Sequence, residues 1–330
     1  MTVSSSGGSP PAHAFNFTEF LEKYALIGVW LTVIIVFSLI ETDTFFTTRN
    51  FRIIFGSQTV LLVLTLGLVV ALAVSEFDLS IGAMLAFAYQ TTVVLDVSQG
   101  WPIGLAILAV LVAGLAFGLL NAFVIVGLGV HSIIATLATG TLLTGLVQLI
   151  TDNKIITGVS PDLIGAINTR FLGLPLISYY GLGICLALWY ALQHTPIGRY
   201  LYFVGQGKEV ARLAGVNVQA VRVGALVAAA LAATIAGIML AGVRGSSTPE
   251  NGAVWLLPAY AAAFLGATSI NPGRFNAWGA FIAVYFLVTG ITGLQLAGLS
   301  SWVQDVFNGA VLLVAVSLSQ FAQRRNAGSG

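Results

Sequence analysis

Apolar runs of membrane-span length fill most of the chain, separated by brief polar punctuation. Crossing a hydrocarbon core of about 30 Å takes about 20 apolar residues in a helix. Ten stretches approach or reach that length: Tyr24–Ile40, Phe51–Val74, Ser80–Leu95, Pro102–Val126, His131–Ile150, Leu174–Gln193, Arg222–Val243, Trp255–Thr268, Asn276–Leu296 and Trp302–Phe321. Two of them are short, so the pattern predicts an all-α polytopic membrane protein with about ten spans, eight at the fewest. Residues 24–321 read as one transmembrane domain between tails over 1–23 and 322–330. The first tail is Ser/Gly/Pro-rich and lacks the basic region and separate cleavage site of a signal peptide, so the first run is expected to stay as a span.

The apolar pattern fails conspicuously between His194 and Arg222. This segment, expected as a loop over 194–222, holds Arg199, Lys208, Arg212 and Arg222, four of the thirteen basic residues. Lys and Arg favour the cytoplasmic side of a membrane. With ten spans and an inside N-terminus, that side receives Lys23, these four, Arg274, Arg324 and Arg325. The other side receives Arg49, Arg52, Lys154, Arg170 and Arg244. Both termini are expected in the cytoplasm.

Within the segment, Gly198, Gly205 and Gly207 permit tight turns, and Lys208–Ala214 reads as a short amphipathic helix. Val210, Leu213 and Ala214 share one face, Glu209 and Arg212 form an i,i+3 ion pair, and Gly215 suits the residue just past the helix end. Such a segment reads either as a solvated interspan loop or as a stiff knob that docks in a groove of a soluble partner. Its Gly-Lys pair is no phosphate loop. A GxxxxGK[ST] motif ending at Lys208 needs Gly at 202 and Ser or Thr at 209, where the chain has Tyr202 and Glu209.

Two interruptions of the span pattern carry polar residues. Ser75–Gly82 places Glu76 and Asp78 between two spans, at a cost of roughly 2.5–3.5 kcal/mol each if held at mid-membrane. The segment is then a turn at the interface or the lining of a wet cavity. Asp78 and Ser80 read either as a helix N-cap or as part of a pathway or gate. The second break runs from Leu265 to Arg274. Paired Gly/Pro-interrupted segments in two halves point to inverted repeats around a central site, though no sequence repeat accompanies them. By residue type, Asp78, Ser80, Asn121, Gln148 and Gln295 are the pathway or gate candidates.

Composition agrees with the span pattern and removes several chemistries. Hydrophobic residues are 58% of the 330 and charged ones 8%, against about 25% charged in soluble domains. The 37 glycines, including the Gly114/Gly118 pair, and the alanines of 225–237 let helices approach closely. A net charge of +1 gives no field for nucleic acid, and the single Cys185 excludes a disulfide or thiolate-metal framework. HExxH and GxSxG are absent. The histidines are His13 in the tail, His131 at a span start and His194 at a span end, and adjacent His131-Ser132 point about 100° apart on a helix. No catalytic or metal residues are nominated.

Thr195-Pro-Ile-Gly-Arg-Tyr-Leu-Tyr-Phe-Val-Gly205, continuing to Glu209-Val-Ala-Arg-Leu-Ala-Gly215, resembles the coupling loop of the ribose-type permeases of bacterial ABC importers. That family pattern is close to TxxGRYLYAxGGNxxAARLSGI. Phe77-Asp-Leu-Ser-Ile-Gly82 is similar to the family's GIDLSVG, and Leu265-Gly-Ala-Thr-Ser269 to its LGGTS. The resemblance covers about residues 55 to 320. Two departures stand out: Ser75-Glu76 replaces a Gly-Gly, and Asn271-Pro-Gly-Arg-Phe275 is richer in proline than the family's glycine turn.

The resemblance implies a type II-like importer permease fold in the bacterial inner membrane, working as a homo- or heterodimer of permease chains. ATP-binding subunits would lie below and a periplasmic solute-binding protein above. Gly198, Arg199, Gly205, Glu209, Arg212, Leu213 and Gly215 would couple the chain to the ATPase. ATP and Mg would be used by those partner subunits, with no cofactor on this chain and no nucleic acid among its partners; lipid surrounds it. A monosaccharide or polyol is the expected cargo, with nucleosides or branched-chain amino acids as alternatives. Rival classes are a stand-alone carrier or channel, and a membrane scaffold that transports nothing.

Overall fold

The computed structural model describes residues 17–249 and 252–327. The polar tail through residue 16, with His13, and residues 328–330 lie outside the described residues. Helices dominate: α1 Phe17–Ile40, α2 Thr48–Ser57, α3 Thr59–Ala73, α4 Ile81–Val93, α5 Ile103–Ala122, α6 Ser132–Thr151, α7 Pro161–Asn168, α8 Leu176–His194, α9 Pro196–Gln206, α10 Lys208–Leu213, α11 Val218–Arg244, α12 Ala253–Gly266, α13 Ala277–Leu296 and α14 Trp302–Ala327. Single π-turns extend α4 over Val94–Ser98 and α5 over Phe123–Gly127. The described strands are two-residue pairs: Ile156–Thr157 with Ser246–Ser247, and Arg170–Phe171 with Leu174–Pro175, both antiparallel.

Eight segments among the described residues are long and apolar enough to cross a membrane: Lys23–Ile40, Thr48–Ala73, Ile81–Ser98, Ile103–Gly127, Ser132–Thr151, Leu176–His194, Val218–Arg244 and Ala277–Leu296. The other two expected spans, α12 and the first part of α14, are apolar but shorter. The protein is an all-α polytopic membrane protein, as the pattern predicts. Several boundaries move. The second span is two helices meeting at Gln58, and the polar stretch 151–173 contains α7, whose Ser160 caps its first turn. The last helix continues to Ala327, so the backbone at Arg324 and Arg325 is helical.

Helix α3 is apolar all round and every one of its fifteen residues is buried, which makes it the central post. Helix α11 lies across it and also against α4 and α5. The small residues permit this approach. A Cβ at Gly67 would overlap Ala232, one at Gly114 would overlap the Thr234 hydroxyl, and one at Gly237 would overlap the carbonyl of Leu85. The Gly114/Gly118 pair thus serves packing inside the chain, against α11. Because α3 ends at Ala73 where α11 begins, the bundle has two distinct ends. One carries α9 and α10; the other carries the start of α3, the end of α11 and the starts of α12 and α14.

Candidate coupling and pathway site

The segment expected as a Gly-hinged turn over 198–207 is helix α9. Pro196 occupies its first turn, where a missing N–H costs nothing. Gly198 and Gly205 are required for a different reason than turning: a Cβ at 198 would overlap the Leu192 carbonyl, and one at 205 the Ala73 carbonyl. Gly205 therefore seats α9 directly on the end of α3. The expected short helix is present as α10, and Gly215 follows it at φ +83°, the left-handed geometry that glycine adopts freely. Arg212 donates to both oxygens of Glu209, the expected ion pair on an exposed surface.

The apolar side of α10 faces outward. Ala211 is the residue buried against the protein, whereas Val210 is 60% and Leu213 88% exposed. Two methyl-rich side chains projecting from a short helix form an uncovered knob. Arg199 lines a neighbouring open cleft of about 470 Å³ with Arg274 and Asn271.

Helices α9 and α10 are fastened to both interruptions of the span pattern. At the first, Ser75 Oγ donates to the Gly205 carbonyl at 3.0 Å. Lys208 Nζ and Arg222 Nε both donate to Glu76 Oε1 at 2.7 Å. Glu76 is 2% exposed. Burial by itself would raise its carboxyl, but the hydrogen bonds and charges of Lys208 and Arg222 outweigh burial and hold it below the ordinary carboxylate range. At the second, Tyr202 Oη donates to the Phe275 carbonyl at 2.6 Å, and the Arg274 guanidinium lies 5.6 Å from the Tyr202 ring centre. Burial pushes the Tyr202 phenol up to about 12, so it remains a donor at neutral pH. The second break is itself organised by Asn276, whose Nδ2 donates to the carbonyls of Gly266, Ser269 and Arg274 while its Oδ1 caps α13.

Beyond Glu76 the first break enters a buried polar chain. Helix α6 satisfies its backbone: Phe77 N–H donates to Ser132 Oγ and Leu79 N–H to Thr136 Oγ1. Asp78 accepts from the Ser80 N–H at 2.9 Å and from the Ser80 hydroxyl. Ser80 Oγ accepts from Asn121 Nδ2 at 3.0 Å, and Asn121 Oδ1 accepts from Thr139 Oγ1 at 2.6 Å. Asp78, Ser80 and Asn121 thus form one network joining the break to α5 and α6. Ser80 stands at the N-cap position of α4 without a side-chain cap bond, because its hydroxyl is turned to Asp78. The cap is an Asx-type turn made by Asp78.

The remaining two candidates lie apart from this network. Gln148 lines an open cleft of about 450 Å³ between α4, α6 and α12, together with Thr141 and Thr144. Gln295 rims a cavity at the end of the bundle away from α9 and α10. His131 is exposed at the start of α6, and His194 stacks on Tyr190 at the end of α8, both consistent with interfacial residues. Among the described residues there is no group of three potential metal ligands. Reading by residue type placed Lys208 and Arg222 only among the basic residues of the segment, without their partner Glu76, and overlooked Tyr202, Asn276, Thr136 and Thr139. The spacing of Ser132, Thr136 and Thr139 at four and three, one face of a helix, is the signal that would have found the α6 partners.

Residues 50–316 match the family described as branched-chain amino acid transport system / permease component. The chain belongs to that family. It is a permease component, as the three motifs led one to expect of an ABC importer subunit. Among its relatives, the ribose import permease protein RbsC of Haemophilus influenzae is 31% identical, the alignment covering 92% of this chain and 94% of the relative. The L-arabinose transport system permease protein AraH of Escherichia coli is 30% identical over 98% of both chains. The D-allose transport system permease protein AlsC of the same organism is 26% identical over 94% of this chain and 95% of the relative. No solved structure matches the chain significantly.

Proposed function

We propose that this chain is the membrane-spanning subunit of an ATP-driven importer for a monosaccharide or a related polyol. The observation that carries the reading is the attachment of α9 and α10 to both interrupted segments, through Ser75, Glu76 and Phe275. The outward knob of Val210 and Leu213 receives the ATP-binding subunit, which uses ATP and Mg. A push on that knob reaches α3 through the Gly205–Ala73 contact, where a glycine leaves no compliant side chain to absorb it. From Glu76 it passes to the Asp78–Ser80–Asn121 network and so to α5 and α6. Gly198, Arg199, Glu209, Arg212 and Gly215 shape and stiffen this contact.

On this reading the end bearing α9 and α10 is cytoplasmic, as the clustering of Arg and Lys favours, and both termini lie on that side of the bacterial inner membrane. A soluble binding protein delivers the solute to the opposite end. Thr141, Thr144 and Gln148 make a polar stripe on α6 that lipid solvates poorly. A second permease chain, identical or homologous, covers that stripe and the two chains enclose the pathway between them. The sugar assignment follows the relatives, whose names specify ribose, arabinose and allose.

The test is reconstitution in liposomes with and without the cognate ATPase and binding protein, measuring uptake of labelled D-ribose, L-arabinose and D-allose. Uptake is expected only from the full assembly with ATP. Equal transport by this chain alone would replace the importer with a stand-alone carrier.

A further inference from the structure

The open cleft of about 470 Å³ beside α9 lies between the end of α8, α9 and the turn over 271–274. Two arginines line it, Arg199 and Arg274, with three side-chain amides and, among the described residues, no carboxylate. Neither arginine takes part in an ion pair of the described residues. The Tyr202 ring, centred 5.6 Å from the Arg274 guanidinium, holds that side chain beside the cleft. Gln193 is oriented by its own helix: Trp189 Nε1 donates to Gln193 Oε1 at 2.8 Å. An indole N–H can only donate, so the amide nitrogen of Gln193 is left as a donor. The cleft thus offers donors and two positive charges, a lining suited to an anion.

Two further observations identify the depth at which that anion is met. Aromatic rings cluster beside the cleft. The Trp189 ring centre lies 6.4 Å from Trp278 and 4.8 Å from His194, which stacks on Tyr190 at 5.5 Å. Tryptophan and tyrosine gather at the membrane–water boundary, where one end of the ring is apolar and the other wet. The second observation is on α8, where Leu182, Leu186 and Tyr190 are exposed. At spacings of four they share one helix face, and Gln193 continues that face into the cleft. An exposed apolar stripe thus runs along a membrane-spanning helix and ends at two arginines. A ligand that uses both has an anionic head and apolar tails.

We propose that this cleft binds the phosphate of an anionic phospholipid through Arg199, Arg274 and the Gln193 amide, with acyl chains along Leu182 and Leu186. Its size falls within the range of about 300–1,000 Å³ usual for small-ligand sites. Guanidinium groups match phosphate oxygens with paired donors, and basic pockets between spanning helices suit anionic headgroups. A zwitterionic head brings an ammonium group that two unpaired arginines repel, so net negative lipids are preferred. Free phosphate shares the chemistry of the head but gains nothing from the α8 stripe. The site requires only that this end of the bundle meets lipid headgroups. It stands whichever solute is carried and whether or not ATP drives the carriage.

Native mass spectrometry of the full chain in detergent tests this, with phosphatidylglycerol and phosphatidylcholine of identical acyl chains as probes. Wild type is compared with Arg199→Gln, Arg274→Gln and the double variant. Arg170→Gln, beyond the other end of α8, makes the same change in net charge away from the cleft. Both cleft arginines are exposed, and monodisperse elution certifies folding; if one variant fails to fold, the other carries the comparison. Wild type is expected to retain phosphatidylglycerol in preference to phosphatidylcholine, and to keep it in excess inorganic phosphate. The preference should fall about fivefold for each cleft arginine removed, the effect of one basic residue at an anionic surface, and stay unchanged in Arg170→Gln. Brominated phosphatidylglycerol should quench tryptophan fluorescence more in wild type than in the double variant, because Trp189 and Trp278 border the cleft. Equal retention of the two lipids, equal quenching, or a preference that the double variant keeps overturns the proposal. Displacement of phosphatidylglycerol by inorganic phosphate gives the cleft to a soluble anion and overturns it as well. If the double variant keeps the lipid preference but no longer retains the ATP-binding subunit in a pull-down, the cleft is a protein contact instead.

Discussion

Glu76→Gln removes one charge from the junction between α9–α10 and the first break while keeping the side chain's shape. Arg222 Nε lies 2.7 Å from the Glu76 carboxyl, with side-chain exposures of 18% and 3%. A hydrogen bond to a charged partner contributes about 1.5–3 kcal/mol, and this shielded pair falls within that range. The Lys208 side chain is 41% exposed, so water screens it and its bond adds about 0.5 kcal/mol, as in surface pairs. Glutamine retains one acceptor, which places the expected loss near 2 kcal/mol. Thermal unfolding of the purified chain should show a midpoint lowered by at most about 4–8 °C, since the shift per kcal/mol falls with chain length. In the reconstituted assembly, more ATP should be hydrolysed per solute imported. A double-mutant cycle with Arg222→Met isolates the pair, and a coupling energy of about 1–2 kcal/mol is expected. If Arg222→Met costs the same in the Glu76→Gln background as in wild type, the clamp reading is wrong. The pH dependence gives a second check. Because the folded carboxyl sits below its ordinary value, its contribution is fully present above the unfolded value of about 4.3 and is lost only as pH falls through the lower folded one. The difference in midpoint between wild type and Glu76→Gln should stay flat from pH 6 to 8 and shrink only in strong acid.

Gly205→Ala drives a methyl into the Ala73 carbonyl and should separate α9 from α3; uptake should fall at least tenfold while membrane insertion, followed by fractionation, stays normal. Leu213→Asp alters a side chain that is 88% exposed. It should leave thermal stability within about 0.5 kcal/mol and abolish retention of the ATPase subunit in a pull-down; undiminished retention would move the docking site elsewhere. Asn121→Leu deprives the buried Ser80 and Thr139 hydroxyls of a partner and should cost about 1–3 kcal/mol, read as a lower midpoint of thermal aggregation.

The apolar periodicity was enough to read an all-α membrane protein with its spans nearly in place, because lipid leaves a backbone no alternative to internal hydrogen bonding. The break in the span pattern over 194–222 was legible from charge, and Gly215 together with the Glu209–Arg212 pair followed from local helix rules. Local rules misjudged Gly198 and Gly205. Glycine permits a turn and a close approach equally, and only the position of α3 decides that here it is the second. The same holds for the outward face of α10, since amphipathic spacing shows that two faces differ without saying which is covered. Glu76 finds Lys208 and Arg222 across more than 130 positions of sequence, and Asn121 finds Ser80 across 41. A cavity lined from α3, α11, α12, α13 and α14 has no sequence signature at all. Span and helix formation depend on neighbours within a few residues, which the sequence contains. Partners for buried polar atoms depend on which helices meet, and only the packed bundle determines that.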